Sequence, residues 1–123
     1  EFRRVLFRSK ILIQRDESTE EKVARLIYSK LPGDIADLRV LLVDPMLATG
    51  GSALKAIEVL EAAGVKQENI VFLNVVSCPE GLARLQKEAP GVFVITAEVD
   101  EKLNAEKYIV PGLGDFGDRY YST

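Results

Sequence analysis

Apolar and polar positions along this chain fall into two kinds of run. Four short runs, "KILIQ", "RVLLVD", "IVFLNVVS" and "VFVITAEV", are rich in β-branched residues and almost unbroken by charge, the pattern of strands covered on both faces. Between the second and third, "SALKAIEVLEAAGV" sets Leu54, Ile57, Val59, Leu60 and Ala63 on one helical face, and Gly64 supplies a stop. Between the third and fourth, "PEGLARLQKEAPG" puts Pro79 in a first helical turn, an amphipathic stretch after it and Pro-Gly at its end. Strand, helix, strand, helix, strand predicts a right-handed α/β succession, an open and mainly parallel sheet flanked by helices. No internal repeat or low-complexity tract interrupts it.

One segment reads two ways. "STEEKVARLIYSKL", residues 18–31, carries a capping-box pair in Ser18 and Glu21 and apolar positions at Val23, Ile27 and Leu31, which favours a helix. Its second half, "ARLIYSKLP", alternates well enough for a strand. Residues 1–9, "EFRRVLFRS", mix basic and apolar side chains without a period and read as a non-native junction, leaving residues 10–123 as the domain.

Composition narrows the chemistry. The chain has 123 residues, 47% hydrophobic and 28% charged with a net charge of -3, which suits one domain able to bury a core. No apolar run approaches the length of a membrane span and no signal-peptide pattern opens the chain, so a cytoplasmic location and no membrane partner are expected. Histidine is absent, which removes His-based acid/base pairs, the Ser-His-Asp triad and the usual zinc sites. Asp and Glu (19) outnumber Lys and Arg (16) with no basic stripe, so no nucleic-acid partner is expected. The single cysteine, Cys78, sits among apolar residues and reads as a buried structural thiol.

The chemistry-bearing stretch is "VDPMLATGGS". It starts at the carboxyl end of a predicted parallel strand, where ligands gather in open sheets. Gly50 and Gly51 let backbone amides approach an anion closely, Thr49 and Ser52 add hydroxyls, and the next helix points its positive N-terminus into the turn. A phosphate monoester would be held there without a lysine. Neither "GxxxxGK" nor "GxGxxG" is present, so this is not a Walker or dinucleotide loop.

This stretch resembles the phosphoribosyl pyrophosphate (PRPP) loop of type I phosphoribosyltransferases, and its Asp-Pro-Met version is similar to that of the uracil phosphoribosyltransferases. Many relatives carry two adjacent acids where this chain has Asp44 and Pro45. The resemblance continues through "QRDEST", "PEGLARL", "VDEKLN" and "YIVPGLGDFGDRYYST" and covers Lys10 to Thr123, the C-terminal part of such an enzyme, so truncation at the N-terminus is expected.

The resemblance implies the transfer of a phosphoribosyl group from PRPP to uracil, giving UMP and pyrophosphate, usually with magnesium. It places Asp44, Pro45, Met46, Leu47, Ala48, Thr49, Gly50, Gly51 and Ser52 around PRPP, with Asp44 on the ribose hydroxyls. It puts Arg15 on a mobile β-hairpin arm near the pyrophosphate, which overrules the helix reading for part of residues 16–31; Asp16 and Glu17 are arm-surface acids. Ile109, Gly114, Asp115 and Phe116 would bind uracil, Asp115 also reaching PRPP, so that Asp44, Arg15 and Asp115 are the catalytic candidates and no protein-held metal is expected. An assembly of identical copies is expected as well. Two other readings stand beside the transferase: a PRPP or nucleotide sensor without turnover, and the C-terminal domain of a bifunctional uridine kinase-like protein.

Overall fold

The computed structural model describes residues 9–15 and 23–121. Of the junction expected over residues 1–9 only Ser9 is among them, and Asp16, Glu17, Ser18 and Glu21 lie outside them.

The centre is a parallel sheet in which β5 (Ile70–Ser77) is flanked on one side by β3 (Val40–Val43) and β4 (Met46–Leu47) and on the other by β6 (Phe93–Val99). β3 and β4 pair with β5 in one continuous register, Val43 opposite Leu73 and Met46 opposite Val76. They form one line broken at Asp44 and Pro45, and the predicted strand "RVLLVD" corresponds to its first part, β3. Proline has no N–H for the ladder, and its carbonyl instead accepts from both Val75 and Val76 at 3.1 Å. The break sits at the end of the sheet, beside the glycine loop.

α1 (Gly51–Ala62) connects β4 to β5 and α2 (Pro79–Glu88) connects β5 to β6. Both crossovers step across the sheet in the same direction, so the common handedness of such units lays both helices on one face. Burial follows from this. Val40, Leu42, Ile70, Phe72 and Val94 pack with Ile57, Leu60 and Leu85 of the helices. The alternate positions, Leu41, Val43, Leu73, Val75, Phe93 and Ile95, are exposed. These strands, expected to be covered on both faces, are therefore covered on one among the described residues.

α1 ends where Gly64 was expected to end it: Gly64 N–H donates to Glu61 O at 2.9 Å and Val65 N–H to Leu60 O at 3.0 Å, closing its last carbonyls. Pro79 opens α2.

β1 (Lys10–Arg15) and β2 (Ala24–Lys30) form an antiparallel pair from Lys10 opposite Lys30 to Arg15 opposite Ala24. The hairpin wins over the local helix signal because "KILIQR" supplies a strand for "ARLIYSK" to pair with, and tertiary pairing outranks propensity. "KILIQ" is thus a strand outside the parallel sheet. After β6, a small antiparallel pair, β7 (Lys102–Leu103) with β8 (Ile109–Val110), leads to a short helix α3 (Phe116–Tyr121). A second buried cluster, Ala48, Cys78 and Ile109 with Met46, Val76 and Leu103 around it, ties this end of the chain to the glycine loop.

Candidate functional site

The glycine loop is short. β4 runs through Leu47 and α1 starts at Gly51, so only Ala48, Thr49 and Gly50 lie between strand and helix. Gly50 caps α1 at φ 87°, a left-handed conformation that side chains resist, and its carbonyl accepts Leu54 N–H at 2.9 Å. Gly51 N–H approaches Thr49 Oγ1 at 3.4 Å. Among the described residues no backbone carbonyl takes the amides of Ala48, Thr49 or Gly50. A short loop with unpaired amides at a helix start is an anion cradle.

A cavity of about 390 Å³ opens in front of this loop. Asp44, Pro45, Met46, Leu47, Ala48, Gly50 and Ser52 line one side, and Gly114, Asp115 and Phe116 the other, so residues far apart in sequence share one space. Thr49, Gly51 and Ile109 are not lining residues. Thr49 and Gly51 belong to the loop itself, whereas Ile109 is 2% exposed and packed into the cluster with Ala48 and Cys78. Arg15 is the last residue of β1, paired with Ala24 at the far end of the hairpin. A wider groove of about 980 Å³ runs from Lys10 to Ile13 of β1 to Asp44, Ser52 and Ala53, so the base of the hairpin arm borders the loop.

The tail is held by side chains that fix its backbone. Asp100 Oδ2 accepts Gly112 N–H at 2.9 Å, and the Val110–Pro111 bond is cis. Asp115 caps α3, its Oδ1 accepting Asp118 N–H at 2.8 Å, and Arg119 Nε donates to the Leu113 carbonyl. Phe116 stacks on Tyr120 with ring centroids 5.6 Å apart. A wall braced in this way can present main-chain donors and acceptors to a flat ring.

Behind the loop, burial pushes the Cys78 thiol above its ordinary value, so it stays protonated and donates from Sγ to Ala48 O at 2.9 Å. Glu80, in the first turn of α2, has its carboxyl lowered, chiefly by a hydrogen bond from its own backbone N–H. Besides Ala53 and Gly117, three residues outside the predicted site, Glu106, Lys107 and Tyr108, also line the cavity. They stand on the turn between β7 and β8, which Asn104 organises by accepting the amides of Glu106 at 3.0 Å and Tyr108 at 2.9 Å. The signal was the asparagine of "KLNAEKY", a residue type that caps turns with its own side chain.

The chain is similar to known proteins in sequence and in fold. The chain matches the family model described as uracil phosphoribosyltransferase over residues 5–123. It is 57% identical over 114 residues to the uracil phosphoribosyltransferase of Dictyostelium discoideum, covering 93% of this chain and 52% of that protein. It is 50% identical over 114 residues to the chloroplastic uridine/cytidine kinase UKL1 of Arabidopsis thaliana, covering 93% of this chain and 23% of the kinase. Among solved structures, the AQ2163 protein from Aquifex aeolicus superimposes with a TM-score of 0.79 at 35% identity, covering 94% of this chain and 53% of that one. The chain thus spans about half the length of the phosphoribosyltransferase it matches. Loop, facing tail and sequence converge: the chain belongs to the uracil phosphoribosyltransferase family.

Proposed function

We propose that the protein to which this chain belongs transfers the phosphoribosyl group of PRPP to uracil, giving UMP and pyrophosphate in pyrimidine salvage. The observation that carries the reading is the single cavity walled by Asp44 and the glycine loop on one side and by Gly114 to Phe116 on the other. A phosphate monoester fits the first wall through amides and the α1 N-terminus. A uracil ring fits the second through the braced backbone of the tail.

Between them, Asp44 accepts hydrogen bonds from the ribose hydroxyls and offsets the positive charge that grows at C1 as the pyrophosphate departs. Arg15, on the hairpin arm, neutralises the leaving pyrophosphate, for which a guanidinium is well shaped. Ile109, buried, acts through its backbone and by holding Ala48. Asp115 ties α3 to the cavity wall through its cap and faces the PRPP side.

Magnesium fits as a companion of the substrate. Among the described residues no three His, Cys, Asp or Glu side chains converge on one point, and such an ion would take most of its ligands from substrate phosphates and water, with the carboxylates of Asp44 and Asp115 in the cavity wall as the groups that would help hold it. When bound, it neutralises diphosphate charge.

No helix among the described residues is long and apolar enough to cross a membrane. A cytoplasmic site of action and an assembly of identical copies belong to the same proposal. The similarity to a uridine/cytidine kinase favours one second reading, in which this domain follows a kinase in a longer chain. The deciding experiment is UMP formation from uracil and PRPP by the full-length protein. No PRPP-dependent UMP would overturn the transferase reading, and the upstream reading frame decides whether a kinase precedes it.

A further inference from the structure

Three consecutive carbonyls, that of Leu47 at the end of β4 and those of Ala48 and Thr49 in the glycine loop, are held from behind by α2 and its N-cap Cys78. Leu47 O accepts Cys78 N–H at 3.1 Å. Ala48 O accepts Cys78 Sγ–H at 2.9 Å. Thr49 O faces Arg84 Nη1 at 3.5 Å, the outer limit of a hydrogen bond. In a trans peptide the N–H points opposite to the C=O of the same plane. Anchoring these three carbonyls toward α2 therefore aims the amides of Ala48, Thr49 and Gly50 away from it. The cavity lies on that side: Ala48, Gly50 and Ser52 line it, and neither Cys78 nor Arg84 does.

Arg84 is itself set in place. Its Nε donates to Glu88 Oε2 at 2.8 Å, one helical turn on, which orients the guanidinium so that Nη1 faces the loop. Nη1 also lies 3.6 Å from where a Cβ on Gly51 would stand, so a guanidinium, itself paired with Glu88, sits beside the first residue of α1. The helix end favours an anion there, and the guanidinium holds the loop from the opposite side.

We propose that Cys78 and Arg84, both outside the glycine loop, are positioning residues for the bound phosphate: they fix the peptide planes of Leu47 to Thr49 before the ligand arrives. The inference rests on the phosphate reading of the loop. The raised thiol keeps Cys78 a donor through the neutral pH range.

The test uses the full-length protein titrated with ribose 5-phosphate, followed at the amide resonances of Thr49, Gly50 and Gly51, with the melting temperature measured alongside. Arg84→Ala and Cys78→Ala should each weaken binding about five- to tenfold, the scale of one lost hydrogen bond, and speed amide exchange at these positions without ligand. Cys78→Ser, which keeps a donor, should recover most of the loss. Arg84→Lys, which keeps the charge without the fork, should recover part of it. Wild-type affinity and exchange in both alanine variants would overturn the proposal, and so would a lowered melting temperature with unchanged affinity. A wild-type protein that binds ribose 5-phosphate but forms no UMP would sink the transferase reading and leave the positioning roles standing. One that binds no ribose 5-phosphate would sink both.

Discussion

Gly81 and Gly50 serve the same loop for different physical reasons. Gly81 lies in α2, and a methyl group there would stand 2.4 Å from Ala48 O and 3.0 Å from Leu47 Cγ, so backbone would have to move. Gly81→Ala should destabilise the fold by about 2 kcal/mol and weaken PRPP binding by displacing Ala48; an unshifted urea midpoint would refute this. Gly50 has room for a methyl, its nearest neighbours 3.4 Å away, but its φ of 87° strains any side chain by about 1–2 kcal/mol. Gly51 has neither problem, its nearest neighbours being 3.6 Å away. Gly50→Ala should therefore lower the ligand-free melting temperature more than Gly51→Ala, although the sequence treats the two glycines alike. Asp44 stands in the cavity wall where the edge strand breaks, and the proposed reaction gives it a charge role that an amide cannot fill. Asp44→Asn in the full-length enzyme should lower kcat more than it raises the KM for PRPP, and a change confined to KM would reassign Asp44 to ribose positioning.

At the scale of elements, the sequence was most legible where one periodicity dominated. Both crossover helices and the strands β5 and β6 stand within a residue or a few of their expected places, because hydrophobic spacing, Pro79 and Gly64 all signal the same elements. It was least legible where a distant partner decided the outcome. The segment ending in "ARLIYSK" carries a helical start signal and becomes β2 because β1 is there to pair with it, which the family resemblance supplied and local rules did not. "RVLLVD" itself became β3, whereas the brief return of the edge strand at Met46 and Leu47 after Pro45 depends on β5 as its partner. In the tail, Asp100 holding Gly112 and Asp118 bonded to Asp115 were invisible, since no spacing rule links position 100 to position 112. The start of α2 carries its own prediction. The Cys78 thiol is raised, so its neutral form is favoured in the fold. That contribution is fully present below the ordinary thiol value of 9.0 and is lost as pH rises through the higher folded value. Melting curves from pH 8 to 11 should thus show the wild type losing stability relative to Cys78→Ser, whose hydroxyl does not titrate there. Parallel curves would show that the thiol keeps its ordinary value.

For the molecule as a whole, what decides its behaviour is that both crossovers lie on one side. The other side of the sheet carries apolar side chains in two rows that follow the strand register, Leu41, Val71 and Phe93 in one and Val43, Leu73 and Ile95 in the next. Val43 is 63% exposed and Phe93 64%, values far from those of a core strand. Strands this apolar are the composition of a sheet buried on both faces, so the sequence carries the signature of a cover that no described residue provides. The phosphoribosyltransferase relative is about twice as long as this chain, which leaves ample chain to supply one. The 123-residue chain by itself should therefore bind a hydrophobic dye and associate with rising concentration, and it should form no UMP at a useful rate. Val43→Lys together with Ile95→Lys should suppress both dye binding and association in the short chain. The same pair in the full-length protein should do the opposite and destabilise it by several kcal/mol, because two unpaired charges would then be buried. Equal tolerance of the two lysines in short and full-length forms would mean that this face is open in both, and the signature of a cover in the strand sequences would have been misread.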